Sequence, residues 1–287
     1  VDSTEVQIAS LAIHSFDGRG IHVRANNVTI ADNYIGTDAS GILAAPNSNH
    51  GIEVYKSSSI IISDVEIQDN LVSGNDGHGI SLAYVDGGVI TGNKIGTTAD
   101  GQAALGNGTS TFNADGINLG SSSNILIGGP DVGDGNLVSG NEGAGVFLQY
   151  SSNSLVTVQG NTIGTDIDGE VSLGRQETGL RADQGVGVTV IDNLLSGNSS
   201  RGIGGKLSDS NISGNRIGVN AAGNAAVPNG SDGFQIKGGS NLSIQSNLIS
   251  GNARYGILIE DSENASFMGN LVGTNFDGTL DIGNGSG

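Results

Sequence analysis

Apolar residues recur with a period of two after a glycine that returns along the whole chain. In Gly51-Ile-Glu-Val54 and Gly116-Ile-Asn-Leu119, two apolar side chains flank one polar side chain. Alternation of this kind predicts a short β-strand with one buried face. The same Gly-apolar pair begins at Gly20, Gly51, Gly79, Gly116, Gly145, Gly179, Gly202, Gly233 and Gly256. We therefore predict that one strand is repeated along the chain.

Two further apolar segments accompany each of these strands. One precedes an asparagine-led phrase, as in residues 59–63, 155–158 and 242–244, and the other lies inside the phrase, as in Leu71-Val72. Three short strands in about 23 residues, without a helical pattern, are typical of a parallel β-helix. Its crossovers are expected to be right-handed. The prediction is one all-β solenoid domain over residues 1–287, with about ten coils rising by ~4.8 Å each.

Two asparagine-led phrases alternate strictly along the chain. The short phrase, Asn-Leu-(Val/Leu/Ile)-Ser-Gly-Asn, starts at residues 70, 136, 193 and 247, and the long phrase, Asn-x-(Ile/Val)-Gly, starts at residues 33, 93, 161, 215 and 270. We expect the leading side chains to stack into an internal ladder, because each amide can bond the coils above and below it. The predicted ladder comprises Asn33, Asn70, Asn93, Asn136, Asn161, Asn193, Asn215, Asn247 and Asn270. The extra residues of the long phrase should form loops on one edge of every second coil.

Composition narrows the function classes. The 287 residues contain 50 glycines, no cysteine and a formal net charge of −18. A chain this acidic lacks the basic face that binding to nucleic acid or to an anionic membrane surface requires. No run of 18 apolar residues occurs, so we expect no membrane insertion. Divalent cations, neutral glycans and cationic glycans remain compatible partners, and the chain reads as a piece of a longer secreted protein.

Three segments resemble bacterial right-handed parallel β-helix repeat proteins of the pectin-lyase-like superfamily: residues 33–41, 93–107 and 127–141. The first reads Asn-Tyr-Ile-Gly-Thr-Asp-Ala-Ser-Gly, and the third ends in Asn-Leu-Val-Ser-Gly-Asn. The resemblance implies a β-helix in a secreted or surface-attached protein. The wider class includes polysaccharide lyases, hydrolases and epimerases as well as adhesins and tailspikes, so the resemblance leaves the activity open.

A cluster of titratable residues is predicted in the first coils. Alignment of the coils on the shared glycine puts Arg19 in one column with three candidate catalytic residues: His50, His78 and Asp115. Adjacent coils bring such residues within ~5 Å. Histidine or a carboxyl group could move a proton on a uronic acid sugar, with arginine holding its carboxylate. Candidate substrate-binding residues are Arg19, His22, Arg24, Glu53, Tyr55 and Tyr84. The alternative is a polar solenoid face without chemistry.

Acidic turns offer a candidate calcium site. Asp166-Ile-Asp168 and the turn from Asp131 to Asp134 carry closely spaced carboxylates beside glycine, as calcium loops do. The alternative is that each aspartate caps its own turn. The spacing alone does not distinguish a calcium site from capped turns. Ca²⁺ therefore stays a candidate cofactor at Asp166, Asp168, Asp131 and Asp134.

Two functions follow from these observations. The regular repetition of the loops favours an extracellular or cell-surface structural and adhesive rod, which binds glycans or associates end to end with neighbouring subunits. The alternative is a polysaccharide-active enzyme, a uronate lyase or C5-epimerase before a polygalacturonase-like hydrolase, that uses His50, His78 and Asp115.

Overall fold

Short parallel strands make up the regular structure of the protein. The computed structural model describes residues 5–109, 111–149 and 154–285. Sheet I contains β1 (Val6–Ala9), β4 (Val28–Ala31), β7 (Ile62–Gln68), β10 (Val85–Thr91), β13 (Ser123–Gly128), β16 (Thr157–Gln159), β19 (Thr189–Ile191), β22 (Asn211–Ser213), β25 (Ser240–Gln245) and β28 (Glu263–Met268). Sheet II contains β2 (Ala12–Ile13), β5 (Tyr34–Ile35), β8 (Leu71–Val72), β11 (Lys94–Ile95), β14 (Leu137–Val138), β17 (Thr162–Ile163), β20 (Leu194–Leu195), β23 (Arg216–Ile217), β26 (Leu248–Ile249) and β29 (Leu271–Val272). Sheet III contains β3 (Ile21–Val23), β6 (Ile52–Val54), β9 (Ile80–Ala83), β12 (Ile117–Gly120), β15 (Val146–Leu148), β18 (Thr178–Val186), β21 (Arg201–Ser208), β24 (Phe234–Lys237) and β27 (Ile257–Glu260).

Every strand pairs in parallel with the strand three places along the chain, which defines a coil of three strands. One apolar core fills the space between the sheets. Ile52, Ile80 and Ile117 are fully buried on sheet III, and the same row continues to Phe234. The predicted all-β, right-handed parallel β-helix of about ten coils is thus confirmed. The described part of the chain contains no helix that could cross a membrane.

The phrase-leading asparagines form one continuous ladder at the bend between sheets I and II. At each step the side-chain oxygen of one asparagine accepts the backbone N–H and the side-chain N–H of the asparagine one coil earlier, as Asn193 does for Asn161 at 2.9 Å each. The ladder runs through Asn33, Asn70, Asn93, Asn136, Asn161, Asn193, Asn215, Asn247 and Asn270. It satisfies backbone groups that the bend would otherwise bury without partners.

A second amide ladder, which we did not predict, lies at the bend between sheets II and III. It runs through Asn47, Asn75, Asn107, Asn141, Gln176, Asn198, Asn229, Asn252 and Asn284. Its members close each short phrase or follow each long loop. Most are buried, so this bend is also satisfied from within the protein.

The long-phrase loops stack on one another along one edge. Each is closed by an antiparallel bridge, such as Thr97 with Ala104. Neighbouring loops are two coils apart and still meet, because Ala99 N–H donates to the Gly41 carbonyl and Ile167 N–H to the Gly101 carbonyl. The predicted loops of every second coil therefore form a ridge.

One predicted strand was wrong in its position. Residues 59–63 were expected to form a strand, but β7 begins at Ile62, and Ile60 and Ile61 are exposed. A bridge between Ser57 and Ile60 turns the chain before the sheet begins, so only Ile62 of this apolar run reaches the core.

Candidate functional site

The candidate residues lie where the chain enters sheet III. Gly20 N–H bonds the His50 carbonyl, Gly51 N–H the His78 carbonyl and Gly79 N–H the Asp115 carbonyl. These bonds put Arg19, His50, His78 and Asp115 on successive coils, in the predicted column. Pairing within sheet III likewise aligns His22 with Glu53 on the outer face.

His50 and His78 are stacked on each other. Their ring centroids are 4.9 Å apart, with 21° between the planes. The Phe112 ring packs edge-on against His78, with the two ring centroids 5.4 Å apart, and Asp115 Oδ2 lies 3.3 Å from His78 Nδ1. Both rings are thereby shielded from water.

Each of the three candidate catalytic groups accepts a backbone N–H from the next coil. His50 Nδ1 accepts the N–H of His78 at 3.0 Å, and His78 Nδ1 accepts the N–H of Asp115 at 2.9 Å. Asp115 Oδ1 accepts the N–H of Ala144 at 2.8 Å. Because a backbone N–H can only donate, Nδ1 of both rings must be unprotonated, and a neutral ring then carries its hydrogen on Nε2. Such a ring has no free lone pair with which to act as a base.

Burial shifts the pKa values of these groups. Desolvation, with a smaller contribution from His50, lowers the pKa of His78 to about 3. Desolvation also lowers the pKa of His50, helped by Arg19 and opposed by Glu53. For Asp115, desolvation raises the pKa to about 6, against the hydrogen bonds from Asn118 and Ala144. At neutral pH the two histidines are therefore neutral.

The Glu53 carboxylate lies among the side chains of Arg19, His22 and His50. The residue is 7% exposed, and its Oε2 lies 2.5 Å from Arg19 Nε, in an ion pair without the alignment of a hydrogen bond. His22 Nε2 lies 3.1 Å from the same oxygen and 2.9 Å from the Tyr55 carbonyl oxygen. His50 Nε2 is 3.8 Å from Oε1. The carboxylate is thus enclosed by its own neighbours.

The predicted substrate-binding residues are only partly brought together. The rings of Tyr55 and Tyr84 are 6.0 Å apart at 41°, at the end of sheet III opposite to His50. Arg24 follows β3 and is exposed. Arg19 and His22 both contact the Glu53 carboxylate, as described above. The two tyrosines therefore form a separate patch beside the charged group.

The acidic turns do not form a cluster. Asp166 Oδ1 accepts the N–H groups of Glu170 and Val171 and so caps its own loop. Asp168 bonds the Gln102 side chain in the neighbouring loop at 2.9 Å. Asp134 Oδ2 accepts the N–H of Asp131. Among the residues that the structure describes, no group of three or more His, Asp or Glu side chains could hold a metal ion.

The arrangement around the histidines recurs in the same column without any histidine. Asp232 is fully buried, and its Oδ1 accepts the N–H of Tyr255 from the next coil at 3.3 Å. Arg201 Nε and Arg254 Nε lie 3.9 and 3.7 Å from its carboxylate. Asp232 was not among the predicted site residues, although its place before Gly233 aligns it with Asp115. The repetition indicates that an acceptor side chain in this column supports the stacking of coils.

The sequence matches the family described as right handed beta helix region, over residues 1–217 and 134–287. None of the curated proteins matches it. The two matched segments overlap and together cover the whole chain.

Several solved structures are similar in fold at low identity. The Dettilon tailspike protein is 12% identical, with a TM-score of 0.51 over 93% of this chain and 60% of that one. The DFA-IIIase of Arthrobacter chlorophenolicus A6 is 13% identical, with a TM-score of 0.45 over 94% and 57%. The A-module of an Azotobacter vinelandii mannuronan C-5 epimerase is 15% identical, with a TM-score of 0.42 over 98% and 80%. The chain spans about three fifths of the length of the first two proteins, and the likeness extends to the fold alone.

Proposed function

Because the chain belongs to the right-handed β-helix family, we propose that it is a non-catalytic structural and adhesive module of an extracellular or surface protein of a bacterium. Its continuous sheets and stacked loops supply a long, regular surface. Two internal amide ladders hold that surface in register. Adhesion to glycans is the binding function that this architecture suits best.

One observation carries the proposal: the groups that could do acid–base chemistry are engaged with the backbone. His50, His78 and Asp115 each accept the N–H of the next coil. A general base needs a free lone pair within reach of the substrate and a pKa near the working pH. His78, with a pKa of about 3 and its Nδ1 occupied, meets neither condition.

The proposal predicts no turnover of polyuronates. We expect the protein, incubated with alginate and pectate with and without calcium, to generate no unsaturated sugars by ultraviolet absorbance and no shift in uronate composition by proton NMR. The control for stability of the preparation is an unchanged circular dichroism spectrum after the incubation. Product formation that Asp115→Asn abolishes, in a variant with an unchanged melting temperature, would overturn the proposal.

The second candidate function is a polysaccharide-active enzyme. It is favoured by Asp115, whose pKa, raised by burial to about 6, suits a proton donor near neutral pH. Its Oδ2 also accepts the amide of Asn118 at 3.0 Å, and that bond would orient the carboxyl. The assay above separates the two functions, because only the enzyme gives products that depend on Asp115.

A further inference from the structure

The outer face of sheet I differs in charge from the rest of the surface. Two rows of side chains point outward there, separated by the buried row that contains Ile30, Ile67 and Ile90. From β13 to β28 these outward positions carry no charge. They are Leu126, Thr157, Thr189, Asn211, Ser243 and Ser266 in one row, and Gln159, Ile191, Ser213, Gln245 and Met268 in the other, which begins one coil later. We call these eleven residues the neutral strip.

Charge is concentrated elsewhere on the protein. The chain has 29 acidic residues and 11 basic ones, and none of them lies in the strip. The outer face of sheet III carries Glu53 and Arg181, and the long loops carry Asp100 and Asp168. In the N-terminal coils of sheet I itself, the same row contains the charged residue Glu66. The strip is thus confined to the C-terminal coils, from β13 to β28.

Side chains of the strip have unused hydrogen-bonding groups. The hydroxyls of Thr157, Thr189 and Ser243 make no hydrogen bond to another described residue. The Asn211 side chain makes two long contacts of 3.4 Å, to Ser213 and Gln245. Hydroxyl and amide groups both donate and accept, as do the hydroxyls of sugars. Because these side chains are half-exposed and lie on paired strands, their polar groups stand at a fixed distance above the sheet.

The strip is regular along the rod. No register shift occurs in the pairings from β13 to β28, so equivalent side chains recur once per coil, at ~4.8 Å. A linear polymer lying along the rod meets at least one hydroxyl or amide side chain on each coil from β16 to β28. Weak contacts then add up along the polymer, because the polymer loses its translational freedom only once, when the first contact forms.

From these observations we propose that the neutral strip binds an uncharged polysaccharide chain, laid along the rod axis. The inference rests on the proposed adhesive function and names its ligand class. A charged polymer gains no ion pair on the strip, and the acidic remainder of the surface repels polyanions. When a neutral sugar chain binds there, no charged group has to be removed from water, and the chain presents a hydroxyl group to each coil.

The size of the strip argues against a second copy of the protein as its occupant. Six coils of ~4.8 Å and about 10 Å of strand width give roughly 300 Å². Specific protein–protein interfaces bury about 800 Å² on each partner. A polysaccharide chain is narrow enough to be bound by a surface of this width.

Binding to insoluble neutral polymers tests the inference. We expect the full chain to be retained on microcrystalline cellulose or on chitin, with little loss of retention at high salt, because no ion pairs are involved. Thr189→Lys places a charged, longer side chain in the middle of the strip and should weaken binding tenfold or more. Thr29→Lys is the matched control, since Thr29 lies in the same row of the same sheet, equally half-buried but beside Glu66. It should bind as the unsubstituted protein does.

Three results would overturn the inference: no retention on either polymer, equal loss in the two variants, or a dimer in light scattering that Thr189→Lys converts to a monomer. Equal melting temperatures of the two variants establish that both are folded. If the protein is not retained on neutral polymers, the predicted absence of turnover is unaffected. If the protein turns over polyuronates, the proposed function is contradicted, but the retention result is unaffected. The two hypotheses therefore fail separately.

Discussion

Replacing Asn193 by alanine lowers the stability of the protein by roughly 3–5 kcal/mol, one of the two largest losses that we expect from a single substitution. Its oxygen accepts the backbone and side-chain N–H groups of Asn161, and its amide donates to the carbonyls of Val158 and Ile191 and to the side chain of Asn215. Alanine leaves these buried partners unsatisfied and opens a void between coils. Thermal unfolding followed by circular dichroism measures the loss.

Asn270→Ala is the matched control for the ladder. Asn270 occupies the last rung, is partly exposed, and donates only to the Ile244 carbonyl while accepting from Asn247. Water can replace those contacts, so the melting temperature should fall by well under half as much. A loss below about 1 kcal/mol in Asn193→Ala would show that the ladder contributes little to stability, and an equal fall in both variants would contradict the expected dependence on burial.

Gly145→Ala is expected to cost about 3 kcal/mol or more, or to prevent folding. An added Cβ would lie 2.7 Å from the Gly179 carbonyl oxygen, 2.7 Å from Ile163 Cγ2 and 2.8 Å from Gln176 Nε2. The oxygen belongs to the backbone of the next coil, which cannot shift without breaking the pairing of sheet III. The midpoint of denaturant unfolding, or the yield of folded protein, reports the effect.

Gly18→Ala provides the comparison. No atom lies within 4 Å of the Cβ position there, and its backbone avoids positive φ. The stability should change by less than about 0.5 kcal/mol. If Gly145→Ala were tolerated as well as Gly18→Ala, the close approach of successive coils at the shared glycine would be wrong.

Much of the fold could be predicted from sequence because the determinants repeat. The recurrence of Gly51-Ile-Glu-Val54 sets the register of sheet III, and the leading asparagines fall one to a coil. The second amide ladder was missed since it draws on both phrases, and Gln176 interrupts its asparagines. The misplaced strand at residues 59–63 had the right apolar content, but the turn closed by Ser57 and Ile60 depends on local backbone geometry that no pattern of apolar residues encodes.

The candidate site was predictable in its placement and not in its chemistry. Counting from the shared glycine brings His50, His78 and Asp115 together, as observed. Which ring nitrogen faces the next coil depends on the side-chain rotamer, and the covering of His78 by Phe112 depends on a turn outside the repeat. These details are the basis on which we propose an acceptor column and not an acid–base site.

Nitrogen-15 NMR of the imidazole rings tests the central claim most directly. We predict that His50 and His78 are neutral at neutral pH, with hydrogen on Nε2 and with Nδ1 coupled across hydrogen bonds to the amide nitrogens of His78 and Asp115. His78 should stay neutral on acidification until the pH approaches its pKa of about 3. His78→Asn assigns the signals. A ring with hydrogen on Nδ1, or a His78 that titrates near the ordinary histidine pKa of about 6.5, would contradict the account. Either result would favour a catalytic role for these residues.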